Sequence, residues 1–372
     1  VKLNISLNEN EEKVLALIKN NPFIPQQELA NQVELSRSAV ANIISSLVEK
    51  DYLLGKAYVV NENQQIVCIG GANVDRKIHS QAAIQPYTSN PANSSQSVGG
   101  VARNIAENLG RLGWPVAMLT VAGKDADFNL IRQESEHYMD LSFVEQKETV
   151  ATGSYTAVLD DTGNLFVALA DMDAYQLLTP ELFKSKEKLL RNAKCIIADL
   201  NCSSESLEYL LTFGKELQKP VIFIPVSSPK IKNLPKDLSG LTWLITNCDE
   251  SETYFNCKIK SQADWQQVVE KWLALGIENV IVTKGTDGAL AGNQQGERIH
   301  QPALTVEHLV DVTGAGDAFC AAIVDAWLDN HSLKEALQQA TVNSVRTIES
   351  SFTVRPELSK NQLLNDMEEL IK

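Results

Sequence analysis

The sequence is short of positive charge. Its 33 Lys and Arg stand against 47 Asp and Glu, leaving a formal charge of −14. Coating nucleic acid or lying on an anionic membrane needs clustered Lys and Arg. Both roles are disfavoured for the chain as a whole, and any anionic ligand has to be held by local devices. No apolar run approaches the roughly 20 residues of a membrane span. The opening VKLNISLNENEEKVL has no basic stretch followed by an apolar core, so no secretory signal and a cytoplasmic location are expected. The six cysteines are scattered, with no C-x-x-C and no histidines at ligand spacing, which favours reduced thiols over zinc or disulfides. Internal repeats and low-complexity tracts are absent as well. What remains, at 44% hydrophobic and 22% charged residues, is an ordinary globular composition, and 372 residues suggest two or three domains.

Residues 1–62 read as a small helical module. Asn8 followed by Glu11 resembles a capping box, with Val14, Leu15, Leu17 and Ile18 supplying an apolar face. Pro25 suits a first helical turn ahead of Leu29, Ala30 and Val33. After a turn at 34–36, Val40, Ile43, Ile44, Leu47 and Val48 form a helical stripe. YLLGKAYVV, 52–60, reads as a hairpin. That order is a winged helix-turn-helix, whose second motif helix, 36–50, offers Arg37, Ser38, Asn42 and Ser45 to a major groove. Six basic and eight acidic residues give the module a net charge of −2, which leaves few phosphate contacts. DNA binding and a protein–protein role both stay open.

The texture changes after the polar stretch 61–65, and the second domain is set at 63–372. IVCIGG, CIIADL, VIFIPV, TWLIT and NVIVT are short apolar runs, most of them separated by helical patterns. Such runs suit strands buried on both faces of a parallel sheet between helices. The segment 155–169, YTAVLDDTGNLFVAL, is instead a hairpin, expected in a small accessory sheet with part of 77–97.

The strongest chemical signal is VDVTGAGDAFCAAIVDAWL, 310–328. Gly314, Ala315 and Gly316 open a helix whose N–H groups converge on one point, where a phosphoryl group can rest without Lys or Arg. Asp317, in the first turn, is placed to accept a proton from an attacking hydroxyl. Simple packing of a helix on a strand is the competing reading. In IVCIGGANVD, Asn73 and Asp75 end a strand, where an acid can bind two sugar hydroxyls. Gly99 and Gly100 let a ligand approach the backbone, and Asn104 is the polar member of an otherwise apolar helix face. Asn247 and Glu250, an N-x-x-E after a strand, suit either a water-mediated Mg²⁺ site or a helix cap. Thr283, Gly285 and Gly288 form either a phosphate-holding turn or a plain hairpin.

In this order, G-G-A-N-V-D, G-G-V-A-R-N, N-x-x-E, T-K-G-T-D-G and D-V-T-G-A-G-D resemble the PfkB or ribokinase-like kinases over about 66–357. SNP at 89–91 and VRPEL near the end are similar to pseudouridine kinases. The resemblance implies an α/β fold, a ribokinase-like αβα sandwich with a mostly parallel sheet and a small β lid. It also implies MgATP as donor and a primary sugar hydroxyl as acceptor. It makes Asp317 the base and Gly314, Ala315 and Gly316 the anion hole. Asn73, Asp75, Gly99, Gly100, Asn104 and Asn201 would bind the ribose. Asn247 and Glu250 would serve phosphate and Mg²⁺, and Thr283, Gly285, Gly288 and Asn343 would line the nucleotide. Asp311 and Thr313 match positions that bind a monovalent cation such as K⁺, although the loop TIESSFTV departs from ribokinase. Arg103 stands where many sugar kinases carry a small residue. The expected function is phosphorylation of a ribonucleoside 5′-hydroxyl, pseudouridine first. Other nucleosides, free sugars, and a nucleoside-sensing regulator built on a kinase fold are the alternatives. A lid sheet with an exposed edge invites a homodimer.

Overall fold

The computed structural model describes residues 7–55 and 64–371. They form two compact units, an N-terminal one through Gln64 and a larger one beginning at Gln65.

Three helices make the N-terminal unit, Glu9–Asn20, Gln26–Gln32 and Arg37–Glu49. Asn8 and Glu11 close the expected capping box. Pro25 stands one place earlier than expected, as the N-cap of the second helix, where its missing N–H costs nothing. Val14, Ile18, Leu29, Val40 and Leu47 bury a common core. Glu11 is buried with them, and it is fully partnered. Ser46 Oγ donates to its Oε1 at 2.7 Å, and Lys50 Nζ lies 2.8 Å from both oxygens. Burial pushes the Glu11 carboxyl up, but Lys50, Asn8 and Ser46 outweigh it and hold the group below its ordinary value. Most of the hairpin expected at 52–60 lies outside the described residues.

The larger unit is built on an eight-stranded sheet in the order Arg298–Gln301, Ala289–Asn293, Asn279–Thr283, Trp243–Asn247, Val221–Ile224, Cys195–Asp199, Ile66–Ile69, Val116–Leu119. The last six are mutually parallel, and the first two join antiparallel at one edge. The inner strands are the continuous apolar runs of the sequence, buried along nearly their whole length. Residues with apolar contacts on both faces cannot alternate with polar ones. Helices Val101–Arg111 and Ala315–Leu328 share a core with the sheet through Ile105, Leu109, Phe319 and Ile323, among others. Among the described residues no helix is long and apolar enough to cross a membrane.

A second sheet of four strands has the order Ala92–Gly99, Asn73–Ser80, Ser154–Leu159, Leu165–Asp171. The hairpin read at 155–169 is its antiparallel outer pair. Asn73 and Asp75 do not end a core strand, as the sequence suggested. The core strand stops at Ile69, and after Gly70 and Gly71 the chain opens a lid strand at Asn73. The break is forced at Gly70, which has φ +143° and where a Cβ would stand 2.2 Å from the Asp199 carboxyl carbon.

Candidate active site

Parallel strands end on one edge of the sheet, and their carboxyl ends gather polar groups there. Asp199 is the last residue of its strand, Asn247 and Thr283 end theirs in register with each other, and Gly70 follows Ile69. Asp199 is 1% exposed. Its Oδ2 accepts from the N–H of Gly71 at 2.8 Å and of Ala102 at 3.1 Å, and its Oδ1 from Asn201 N–H at 2.9 Å. One carboxylate therefore ties both glycine loops to a third strand end. Burial raises its pKa, and these N–H groups oppose the rise. Tyr175 supports the same loop: its hydroxyl donates to Ala72 O at 2.8 Å and accepts from Ala72 N–H at 3.0 Å.

Two helices begin beside this clamp. Gly100 caps Val101–Arg111 with φ +103°, and Gly314 caps Ala315–Leu328 with φ +82°. Each glycine is held by a close approach, Gly100 by Gly71 O and Gly314 by Thr353 O, 2.4 and 2.1 Å from where a Cβ would stand. Gly316 differs, because a Cβ there would meet nothing within 4 Å apart from its chain neighbours and its own helix backbone. Packing therefore explains Gly314 and not Gly316. The first N–H groups of a helix have no carbonyl one turn back to accept them; here the Ala315 N–H makes only a long contact with Val312 O at 3.4 Å, and Gly316 is exposed, so the turn has donors to offer an anion.

Asp317 is half-buried in that turn, and Asn104 Nδ2 donates to its Oδ2 at 2.7 Å. Burial lifts the Asp317 carboxyl to about 7. The Asn104 hydrogen bond opposes this, Asp199 and Asp75 add repulsion, and Arg103 works against them. Asp75 is raised to about 6, again chiefly by burial, with Lys77, Asn73 and Arg103 opposing. Asn73 Nδ2 donates to Asp75 Oδ1 at 2.7 Å, and Gly99 lies so close that a Cβ would stand 2.2 Å from Asp75 Oδ2. Asn73, Asp75, Gly99, Gly100, Asn104, Asn201 and Asp317 are thus brought together by this network of contacts. Two carboxyls poised near neutrality beside open helix donors suit proton abstraction next to a bound anion.

Asn247 and Glu250 form the capping box of helix Cys248–Phe255. Glu250 Oε2 also accepts from Thr246 Oγ1 at 2.9 Å, and burial raises this carboxyl. Among the described residues no group of three or more His, Cys, Asp or Glu is arranged around a common metal position. Glu250 is itself buried and its Oε2 is taken by Thr246 Oγ1 and the Asn247 N–H, which leaves its Oε1 as the atom to meet a water of a hydrated hard cation carried mainly by phosphate oxygens. Thr283 Oγ1 lies 3.4 Å from Thr246 O. In the following turn Gly288, with φ +97°, packs against Gln301 O, whereas Gly285, with φ +49°, is open. Asp311 Oδ1 accepts from the N–H and hydroxyl of Thr313, and its Oδ2 pairs with Lys77 Nζ at 3.0 Å. Burial pushes the Asp311 carboxyl up, but Thr313 and Lys77 outweigh it and hold the group at about 2.

Asn343 departs from expectation. It is 0% exposed, and its Nδ2 donates to Ala318 O at 2.9 Å and contacts Asn108 Oδ1 at 3.3 Å, while Arg355 Nε donates to its Oδ1. An amide with every group engaged inside the core does not line a nucleotide. It braces the helix that carries Asp317. Sequence reasoning passed over Asp199 and Tyr175. An acid closing the apolar run CIIAD was the available signal for the first, whereas nothing local marks the second.

Comparison with known proteins follows the same outline. The pfkB family carbohydrate kinases match residues 63–358, and a winged helix-turn-helix DNA-binding family matches 7–53. The uncharacterized sugar kinase YeiI of Escherichia coli (strain K12) is 29% identical over 96% of this chain and 99% of its own length. The pseudouridine kinase of the same organism is 30% identical over 81% and 95%. The structure of Arabidopsis thaliana ribokinase complexed with ribose and ATP superposes with a TM-score of 0.73 at 20% identity, covering 82% of this chain and 99% of that one.

Proposed function

Because this chain belongs to the pfkB family of carbohydrate kinases, we propose that it transfers the γ-phosphoryl group of ATP to the 5′-hydroxyl of a ribonucleoside, pseudouridine first. The observation that carries this reading is the contact of Asn104 with Asp317 at an open helix N-terminus. Asp317 takes the hydroxyl proton as the oxygen bonds to phosphorus and the bond to ADP breaks. The N–H groups at Gly314, Ala315 and Gly316 hold the charge of the transferring phosphoryl group. Asn73, Asp75, Gly99, Gly100 and Asn201 hold the ribose, with Asp75 accepting from its hydroxyls. Thr283 and Gly285 lie beside the nucleotide phosphates. Glu250, kept in place by its cap partner Asn247, holds Mg²⁺ through water, and the ion neutralises phosphate charge when bound. Asp311 and Thr313 are the proposed site for a potassium ion, and residues 1–62 and 63–372 are the two domains.

The test is ADP release over a panel of nucleosides and free sugars. Pseudouridine should show the highest kcat/KM, and a free sugar exceeding every nucleoside would sink the substrate assignment. The same assay in potassium and in choline salts tests the cation. A second reading, a nucleoside-sensing regulator, draws on the helix-turn-helix match and on the exposure of Arg37, Ser38, Asn42 and Ser45. It wins if nothing on the panel is phosphorylated while a nucleoside changes affinity for DNA. A homodimer is also proposed, through the lid strand Leu165–Asp171. That strand is exposed along its whole length and carries Leu165, Phe166, Val167 and Leu169.

A further inference from the structure

Arg103 is 3% exposed, a costly place for a charge unless its surroundings use it. Its Nε donates to Ser135 Oγ at 3.1 Å, its Nη2 to Glu107, and its Nη1 to Asn104 Oδ1 at 3.1 Å. Glu107 is shared with Arg111, so Arg103 does not have a full negative charge to itself. The charged groups that interact with it are Glu107, Arg111, Glu134, Asp317 and Asp75. The amide of Asn104 lies between Arg103 and Asp317, with oxygen towards the guanidinium and Nδ2 towards the carboxylate. Turned over, the amide would set oxygen against carboxylate and NH₂ against guanidinium, losing both bonds. Only an acceptor facing Arg103 and a donor facing Asp317 satisfy both neighbours. A charge-assisted bond to the amide oxygen also makes its N–H a better donor.

We propose that Arg103 is a positioning residue for phosphoryl transfer: it fixes the Asn104 amide in the one orientation that holds the Asp317 carboxylate towards the acceptor hydroxyl. This rests on Asp317 being the base. Ser135 and Glu107 hold the guanidinium fork, and Arg111 holds Glu107. A lysine has the charge without the planar fork, so the charge and the geometry are separable.

The experiment measures kcat, nucleoside Kd and the pH profile of kcat for Arg103→Met, Arg103→Lys and Asp317→Asn. Arg103→Met should lower kcat on the order of ten- to a hundredfold with nucleoside Kd little changed. It should also move the midpoint of the profile upward, because a cation favouring the ionised carboxylate is gone. Arg103→Lys should lose rate and keep the midpoint. In an Asn104→Ala background Arg103→Lys should cost no further rate, and this comparison decides the matter if Arg103→Met does not fold by circular dichroism. An equal loss in both backgrounds overturns the proposal, as does wild-type kcat and midpoint in Arg103→Met. If Asp317→Asn turns over at the wild-type rate, it is the assignment of the base that falls.

Discussion

At the scale of the residue, the two glycines before Asp317 have different reasons to be glycine. Gly314 needs its positive φ and the space that Thr353 leaves, so Gly314→Ala should cost both stability and activity. A Cβ at Gly316 would meet nothing beyond its chain neighbours and its own helix backbone, and alanine favours a helix. Gly316→Ala should therefore melt at or above the wild-type temperature yet lose roughly a hundredfold in kcat/KM for ATP, because a methyl group stands among the donors. Wild-type kinetics in that variant would return the Gly-Ala-Gly turn to simple packing. Asp317 itself ties rate and stability to pH. Burial raises its pKa in the folded protein to about 7, well above the ordinary carboxylate value. The folded state thus holds a proton that the unfolded chain releases, and the stability this contributes is lost as pH rises towards 7. Turnover needs the ionised form and should rise over the same range, with a midpoint near 7 in steady-state kinetics. Asp317→Asn should abolish the turnover and raise the melting temperature of the ligand-free protein by at least ~2 °C at pH 8. The gain should shrink at pH 4.

At the scale of the element, the third N-terminal helix carries few groups for a polyanion. Lys50 is spent on Glu11, which leaves Arg37 exposed at the start of the helix Arg37–Glu49. Arg37→Ala should weaken binding to duplex DNA in a fluorescence anisotropy titration. Lys50→Ala should leave that binding nearly unchanged but lower the melting temperature, since it strands the buried Glu11. A loss of affinity in Lys50→Ala equal to that in Arg37→Ala would contradict this division. Elements of this kind were legible in the sequence because their causes are local. Asn8 with Glu11 marks a cap, and unbroken runs such as IVCI and NVIVT mark strands covered on both sides. The glycines at 314 and 316 mark the start of the helix Ala315–Leu328. The remainder depends on partners far along the chain. Asp199 looks like the polar end of an apolar strand until two glycine loops arrive on it. Arg103 reads as a helix residue until Asn104 is seen between it and Asp317, and Asn343 reads as a ligand until its amide is found closed in the core. Asn73 and Asp75 were assigned to the wrong strand because Gly70, Gly71 and Ala72 break the chain over only three residues.

At the scale of the whole molecule, the lid has one edge strand whose apolar side chains lie exposed among the described residues. Light scattering should find a dimer, and Leu169→Asp should shift it towards monomer by adding charge to that surface. A monomer at every accessible concentration would remove the lid edge as an interface. The bond from Asn104 to Asp317 spans 213 positions of sequence, and the parallel lid pair joins Val74 to Ser154. Contacts of such range are slow to form, because closing long loops costs entropy before the contacts repay it. With Asp317 as the proposed base, a chain emerging from the ribosome completes the proposed sugar-binding loops long before it receives that base. On that assignment it becomes able to react only after Asp317 has been added and the 213-position contact with Asn104 has closed.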